Sequence, residues 1–194
     1  MGFVAHVKGV KSHGIITQAL EILANLDHRG AVGADPLLGD GAGILIQIPD
    51  KLYRKWADSE GLTLPPPGDY AVAMCFMPQD DTARDFITSQ FEKFVIKEGQ
   101  KLIGWRDVPV DPNILGGASA RTMPRFRQLF LSWTSDDGDL LTDMALERKC
   151  YIVRKRIEHD VRLTAGPGEV NEAMGGASEA HDGIYFSSLS SRTM

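Results

Sequence analysis

The sequence predicts an α+β fold, and three observations support this. In several segments apolar residues recur every three or four positions, which indicates helices with one buried face. Other segments are short and rich in β-branched and aromatic residues, as strands are. The two kinds of segment are mixed along the chain without an internal repeat. Pattern alone therefore favours an α+β fold or a layered α/β sandwich.

The size and charge of the chain limit its class. Its 194 residues are 43% hydrophobic, which suits one globular domain or part of a larger one. The net charge is −5 and both signs are interleaved, so we expect no broad basic face and no nucleic-acid binding. No apolar stretch reaches the roughly 18 residues of a membrane span. The start of the chain lacks a secretion signal, and we expect a cytoplasmic protein without membrane contact.

The first quarter of the chain predicts two short strands and a helix. Gly2 to Val7 suits a short strand, and Ser12 can cap a helix that follows it. One face of that helix is expected to be buried, with Ile16, Leu20, Leu23 and Leu26 along it. Asp27 to Gly43 is a glycine-rich connection, and connections of that length inside compact domains are usually functional or disordered. Ile44 to Ile48 then alternates as a strand does.

The middle of the chain contains clearer signals. Pro49-Asp50 opens a helix that reaches about Ser59, and Pro65 to Gly68 is a surface turn. Tyr70 to Met77 is almost continuously apolar, which predicts a strand covered on both faces. Three further elements follow: a helix from about Thr82 to Lys97 with Ala83, Ile87, Phe91 and Phe94 on one side, and extended segments at Leu102 to Val110 and Phe126 to Trp133.

The last part of the chain holds the longest helical signal, Asp139 to Leu163. Its apolar stripe consists of Leu146, Cys150, Val153, Ile157 and Val161. Its basic residues are most simply the solvated face, with phosphate or nucleic-acid binding as the alternative; they are Arg148, Lys149, Arg154, Lys155 and Arg156. Thr164 to Glu179 is loop-like, and Gly183 to Ser188 predicts a final strand.

The two cysteines are expected to be reduced and buried. Cys75 lies within an apolar run and Cys150 within the long helix. Neither belongs to a CxxC motif or a Cys/His cluster, so the sequence predicts no metal site.

The segment that most strongly suggests a functional site surrounds Arg29. An arginine at the end of a helix, next to Gly30, is well placed to hold a carboxylate or another anion. The alternative is that Arg29 caps its helix or pairs with Asp27 or Asp35.

A dinucleotide-binding motif at Gly39, Gly41 and Gly43 is not supported. The motif needs a further glycine and a helix after it, whereas a strand is predicted here.

Several ordered motifs resemble the large subunit of glutamate synthase. They are Gly2-Phe3-Val4-Ala5, His28-Arg29-Gly30-Ala31, Asp40-Gly41-Ala42-Gly43-Ile44 and Ser188-Leu189-Ser190-Ser191-Arg192-Thr193. Arg-Gly alone is shared with other class II amidotransferases, but the last two motifs favour glutamate synthase. The resemblance covers essentially all of residues 1–194, which we take as one partial class II (type 2) glutamine amidotransferase domain.

The resemblance implies both a fold and a reaction. The fold is that of N-terminal nucleophile hydrolases, a four-layer αββα sandwich, here expected to be incomplete. In the reaction, the thiolate of a leading cysteine attacks the side-chain amide of glutamine, with its own α-amine as base. Hydrolysis of the thioester then gives glutamate and ammonia for transfer to 2-oxoglutarate.

The sequence departs from the family pattern at its two ends. The family's opening motif is Cys-Gly-Val-Gly-Phe, so Met1 stands where the valine would be and the nucleophile is missing. The residues that hold glutamine would follow Met194. We therefore expect a chain truncated at both ends and inactive by itself. By resemblance Arg29 lies beside the nucleophile, and Gly30, Asp40 and Gly41 are weaker candidates for substrate binding.

The resemblance also implies partners and cofactors. Glutamine is the substrate of the family, and the implied partners are the rest of the large subunit and a small subunit. FMN and an iron–sulfur cluster belong to synthase domains outside this chain, so we expect no cofactor here. The alternative to a glutaminase is a non-catalytic module of the same fold that serves for packing or for binding an amino acid.

Overall fold

A computed structural model describes residues 2–26, 28, 30, 41–133, 138–139, 141–164 and 185–194, without the side chains of residues 118 and 160–164. The helices are α1 (His13–Asn25), α2 (Asp50–Ser59), α3 (Asp81–Lys97), α4 (Gly117–Thr122) and α5 (Asp143–Thr164). The strands are β1 (Ala71–Met77), β2 (Gln100–Asp107), β3 (Arg125–Trp133) and β4 (Tyr185–Ser190). The chain divides into two compact units, which are described separately.

The first unit, Met1–Ile46 with Asp111–Arg121, is helical where it is regular. It holds α1, a short 3-10 turn at Pro112–Ile114 and most of α4. The α1 helix begins directly after Ser12, as predicted, but the Ser12 side chain makes no capping hydrogen bond. The predicted buried face of α1 is wrong in two positions, because Leu20 and Leu26 are exposed. The face that is partly covered consists instead of Ile15, Ile16, Ala19, Ile22 and Leu23.

The strand predicted at Gly2 to Val7 is also wrong. These residues have no strand partner and run into a turn in which the Gly9 amide donates to the His6 carbonyl at 2.8 Å. Phe3 and Val7 are exposed. An extended apolar segment forms a strand only where a neighbouring strand accepts its backbone hydrogen bonds, and within this unit the described residues provide none.

The strand predicted at Ile44 to Ile48 is reduced to a single bridge. Gln47 pairs with Thr193, and the Ile48 amide donates to the Arg192 carbonyl at 3.0 Å. The alternation that suggested a strand is visible in part, because Ile48 is half-buried and Gln47 is exposed. Ile44 is exposed, however, and residues 41–46 have no regular structure.

The second unit, Gln47–Val110 with Thr122–Met194, is built around one antiparallel sheet. The strand order is β2-β3-β1-β4, so β1 lies between two neighbours. Its register places Ala71 opposite Leu131 and Met77 opposite Arg125. Val72 is buried on one face of β1, and Ala73 and Cys75 are buried on the other, which confirms the prediction that β1 is covered on both faces.

Helices α3 and α5 cover one face of this sheet. The core there joins alternate residues of the strands to one side of each helix, with Cys75, Leu129 and Phe186 from the strands. Helix α3 contributes Ile87, Phe91 and Val95, and α5 contributes Leu146, Cys150, Val153 and Ile157. The predicted stripe of α5 is confirmed at these four positions, while the side chain of Val161 lies outside the described residues. In α3 the prediction is confirmed for Ile87 and Phe91, but it missed Val95.

Helix α2 covers part of the opposite face. Tyr53 and Ala57 pack with Tyr70, Val72 and Phe130 in a second core. The start of α2 is held by Asp50, which accepts hydrogen bonds from the Tyr70 hydroxyl at 3.0 Å and from Arg54 Nε at 2.9 Å. Gly68, in the predicted proline-rich turn, has a φ of 96°, a left-handed conformation that favours glycine.

The α+β class predicted from the sequence is confirmed. The finer arrangement in four layers stays a prediction, because the described residues form one sheet, with helices on both of its faces. The solvated basic face of α5 is also observed: Arg154 and Lys155 both pair with Glu158, and Arg156 pairs with Glu98.

Candidate functional site

The residues predicted around the glycine-rich connection are only partly described. Gly30 lies in an exposed bend, and Gly41 is exposed with a φ of 79°, in the left-handed region. Among the described residues, no atom lies within 4 Å of a Cβ at Gly41, and its left-handed backbone conformation by itself favours glycine there. Arg29 and Asp40 lie outside the described residues, and their predicted placement beside a nucleophile stays untested.

The serine-rich motif after β4 is held by one carboxylate of α5. Glu147 accepts the Ser191 amide at 2.7 Å and the Ser191 hydroxyl at 2.6 Å. It also accepts the Ser190 hydroxyl, at 3.1 and 3.0 Å from its two oxygens. Ser190 in turn accepts the Arg192 amide at 3.0 Å. A charged acceptor strengthens these bonds, so this cluster fixes the path of residues 190–192.

A second polar cluster lies at the edge of α2, on the sheet face that this helix covers. Gln128 Nε2 donates to the Tyr53 hydroxyl at 2.9 Å, and Arg106 Nη1 donates to Gln128 Oε1 at 2.8 Å. The Tyr53 hydroxyl donates to Sδ of Met194. Burial raises the pKa of Tyr53 to about 12, although Arg106 and Gln128 act in the opposite direction. Tyr53 is therefore a neutral hydrogen-bonding group at neutral pH.

Both cysteines are free and buried, as predicted. Burial raises the pKa of the Cys75 thiol and outweighs the opposing charge of Arg127. Burial also raises the pKa of the Cys150 thiol, with Glu147 adding to the effect. Because a nucleophilic cysteine needs an accessible thiolate, neither thiol suits that role.

An aromatic cluster occupies the part of the sheet that α2 leaves uncovered. Phe76 packs against Phe126 with ring centroids 4.8 Å apart and against Tyr185 at 5.5 Å. All three residues point away from α3 and α5, since they alternate with the residues of the first core. Tyr185 is 45% exposed, and nearby Ser188 has a buried hydroxyl with no hydrogen-bond partner in the described part of the chain.

Sequence reasoning missed the two polar clusters. Glu147 sits beside the apolar stripe of α5, where its sequence position gives no sign that it accepts bonds from residues 43 and 44 positions later. Tyr53 and Gln128 are 75 residues apart and have no shared motif. Their contact depends on how α2 lies on the sheet, which a one-dimensional pattern does not contain.

The described residues do not fit an iron–sulfur cluster. Such a cluster takes several cysteine thiolates, whereas Cys75 and Cys150 are buried thiols in the hydrophobic core. In the described parts of the chain, no group of three or more His, Cys, Asp or Glu side chains could hold a metal ion. Among the described helices, none has the length and apolar character to cross a membrane.

Comparison with known proteins defines the class. The family model for class-II glutamine amidotransferases matches residues 1–194, and the chain belongs to this family. The chain is 38% identical over 194 residues to the large chain of glutamate synthase (NADPH) from Bacillus subtilis. It is 36% identical over 198 residues to the chloroplastic ferredoxin-dependent glutamate synthase 2 of Arabidopsis thaliana.

These two alignments cover all of this chain but only a small part of each relative. Each includes 100% of this chain but 11% of the relative. A third relative, the glutamate synthase (NADH) of Schizosaccharomyces pombe, is 38% identical over 162 residues, which are 82% of this chain and 8% of the relative. The resemblance to glutamate synthase drawn from the sequence motifs is confirmed.

Proposed function

We propose that this chain forms part of the glutaminase domain of a glutamate synthase. That domain hydrolyses glutamine to glutamate and ammonia, and the ammonia passes to 2-oxoglutarate in nitrogen assimilation. The observation that carries the proposal is the similarity of all 194 residues of this chain to class-II glutamine amidotransferases, and in particular to part of the glutamate synthases. The cytoplasm is the proposed location.

The proposed reaction proceeds through a thioester. A thiolate attacks the carboxamide carbon of glutamine, an oxyanion forms, and ammonia leaves as the thioester is made. Water then attacks the thioester, releasing glutamate and restoring the thiol. We place Arg29 beside the nucleophile, where its guanidinium orients the reacting groups, with Gly30, Asp40 and Gly41 lining the substrate site.

We also propose that the 194-residue polypeptide does not catalyse this reaction by itself. The mechanism requires a thiol and a free α-amine on one residue, whereas Cys75 and Cys150 are internal. The burial of both thiols and the upward shift of their pKa support this proposal.

The proposed complete fold is the four-layer sandwich of N-terminal nucleophile hydrolases. The cluster of Phe76, Phe126 and Tyr185 supports it, because this apolar surface lies on the sheet face opposite α3 and α5, where a second sheet would pack. The buried hydroxyl of Ser188, which lacks a partner within the described residues, would gain one there.

The proposed partners are the remaining parts of a glutamate synthase large chain and a small subunit. FMN and an iron–sulfur cluster are assigned to those other parts. No residue of this chain is given a role in holding either group.

Arg29 provides the test of the proposed site. In a polypeptide of glutamate synthase length that contains this sequence, Arg29→Ala should lower kcat/KM for glutamine hydrolysis by roughly 10- to 100-fold, the effect of losing a charge-assisted hydrogen bond. Arg121→Ala, which removes a basic residue from the last turn of α4, is the matched control. Equal activity of the two variants would rule out the proposed role of Arg29.

A further inference from the structure

Helix α5 has a second apolar strip, separate from the stripe that faces the sheet. Met144, Tyr151 and Ile152 are 50%, 65% and 45% exposed. Together with Glu147 and Arg148 they line a shallow groove of about 360 Å³. The positions 144, 148, 151 and 152 share one side of a helix by their spacing of three and four residues. A solvated helix face is expected to be polar, so this strip is unusual.

The charges beside the groove point to the chemistry of its partner. Glu147 already accepts hydrogen bonds from Ser190 and Ser191. Arg148 is exposed, and no carboxylate of the described residues is seen to pair with it. Among the described residues that line the groove, Arg148 is therefore the cation without a carboxylate partner. An apolar surface next to an available guanidinium suits a segment that combines apolar side chains with a carboxylate.

The same charge argues against a second copy of the chain as the occupant. If two α5 helices packed through this strip about a twofold axis, Arg148 of each copy would approach the other near the centre of the interface. Like charges brought together in an apolar interface are destabilising.

We propose that the α5 groove binds an acidic, amphipathic segment from another part of the same, longer polypeptide. This rests on the proposed function, because the relatives contain far more sequence than the 11% that aligns with this chain. Apolar side chains of the segment cover Met144, Tyr151 and Ile152, and a carboxylate of the segment pairs with Arg148. The strip thus serves as an interdomain surface.

Photo-crosslinking tests this inference in a polypeptide of glutamate synthase length. The photoreactive residue p-benzoyl-phenylalanine replaces Tyr151 in one variant and the exposed Lys93 of α3 in a control. After irradiation, peptide mapping should locate the Tyr151 crosslink in one segment of the same chain that contains Asp or Glu within a helical turn. A yield no higher than at position 93, a crosslink between two copies, or a segment without carboxylates would overturn the inference.

Charge reversal provides a second readout. Arg148→Glu should reduce the crosslink yield at position 151 by roughly fivefold or more, because a like charge then faces the carboxylate. Lys93→Glu should leave that yield unchanged. If the crosslink yield at position 151 is the same in the Arg148→Glu and Lys93→Glu variants, the pairing of Arg148 with a carboxylate is contradicted. Glutamate release from glutamine, measured on the unmodified polypeptide, reports separately on the proposed function, so the two ideas can fail independently.

Discussion

The carboxylate of Glu147 accepts both the backbone amide and the hydroxyl of Ser191, at 2.7 and 2.6 Å. Ser191 is 5% exposed, so water cannot replace these bonds easily. This relationship joins α5 to the turn that follows β4 and links two segments that the sequence alone does not connect.

Removing this carboxylate should destabilise the fold. Glu147→Ala leaves buried donors of Ser191 without an acceptor, which should lower the free energy of unfolding by about 2–3 kcal/mol in urea denaturation. Asp143→Asn is the matched control on the same helix. Its pair with Arg192 is largely exposed, and a change below about 1 kcal/mol is expected. Similar losses from both substitutions would contradict the special role of Glu147.

The Tyr53 hydroxyl should also stabilise the fold by accepting a buried hydrogen bond. Tyr53→Phe leaves the buried amide of Gln128 without its acceptor, so a loss of about 1–2 kcal/mol is expected from thermal or urea unfolding. Tyr151→Phe, at a largely exposed ring, should have almost no effect. If the two substitutions lower the free energy of unfolding equally, the hydrogen bond between Tyr53 and Gln128 makes no measurable contribution to stability.

Tyr53 also predicts a loss of stability in alkali. Its folded pKa is about 12, above the ordinary value of 10.0, because burial disfavours the phenolate. The folded state therefore holds the proton more tightly, and this contribution to stability is complete below pH 10.0 and lost as the pH rises towards 12. Urea unfolding from pH 9 to 12 should show a steeper decline for the wild type than for Tyr53→Phe. The same pH dependence of the unfolding free energy in the wild type and in Tyr53→Phe would contradict the raised pKa of Tyr53.

The two thiols should be inert while the chain is folded. Cys75 and Cys150 are buried, and burial raises the pKa of both. Reaction with a chromogenic disulfide reagent at pH 8 should be slow in buffer and rise at least ~100-fold in urea. Ser59→Cys, at the exposed end of α2, supplies a reactive reference thiol. Native labelling of either natural cysteine at the reference rate would be incompatible with the described core.

Gly104 should not tolerate a side chain as well as other glycines do. A Cβ at this position of β2 would lie 2.8 Å from Cδ1 of Leu62 and 3.6 Å from Cη2 of Trp56. Gly104→Ala should cost about 1 kcal/mol through overpacking, because the Leu62 methyl must move away from its present contacts with the second core. At Gly117 a Cβ meets nothing within 4 Å, so Gly117→Ala should be neutral or slightly stabilising. The difference between their melting temperatures measures the effect.

Among the elements predicted correctly from the sequence, α3, α5 and β1 have the longest or most continuous apolar patterns. Helices α3 and α5 each repeat their stripe over several turns, and β1 is apolar throughout. The two strands predicted near the start were wrong because a few alternating apolar residues do not specify a partner. Strand formation requires hydrogen bonds from a neighbour, and those depend on chain segments far away in sequence.

The candidate site was predictable to a smaller extent. Motifs around Arg29 and Gly41 pointed to the correct family, because glycine turns and their spacing are visible in one dimension. The groups that hold the motif after β4 were not predictable. Glu147 contacts it only because α5 crosses the sheet beside β4. Long-range hydrogen bonds of this kind leave no local signature.

The most direct test of the proposed function is release of glutamate from glutamine, measured in parallel on two polypeptides. One is the 194-residue chain, and the other is a chain of glutamate synthase length that contains the same residues. The proposed function predicts sustained glutamate release by the longer polypeptide and none above background by the 194-residue chain. Hydrolysis by the 194-residue chain at an enzymatic rate, or no hydrolysis by the longer polypeptide, would contradict it.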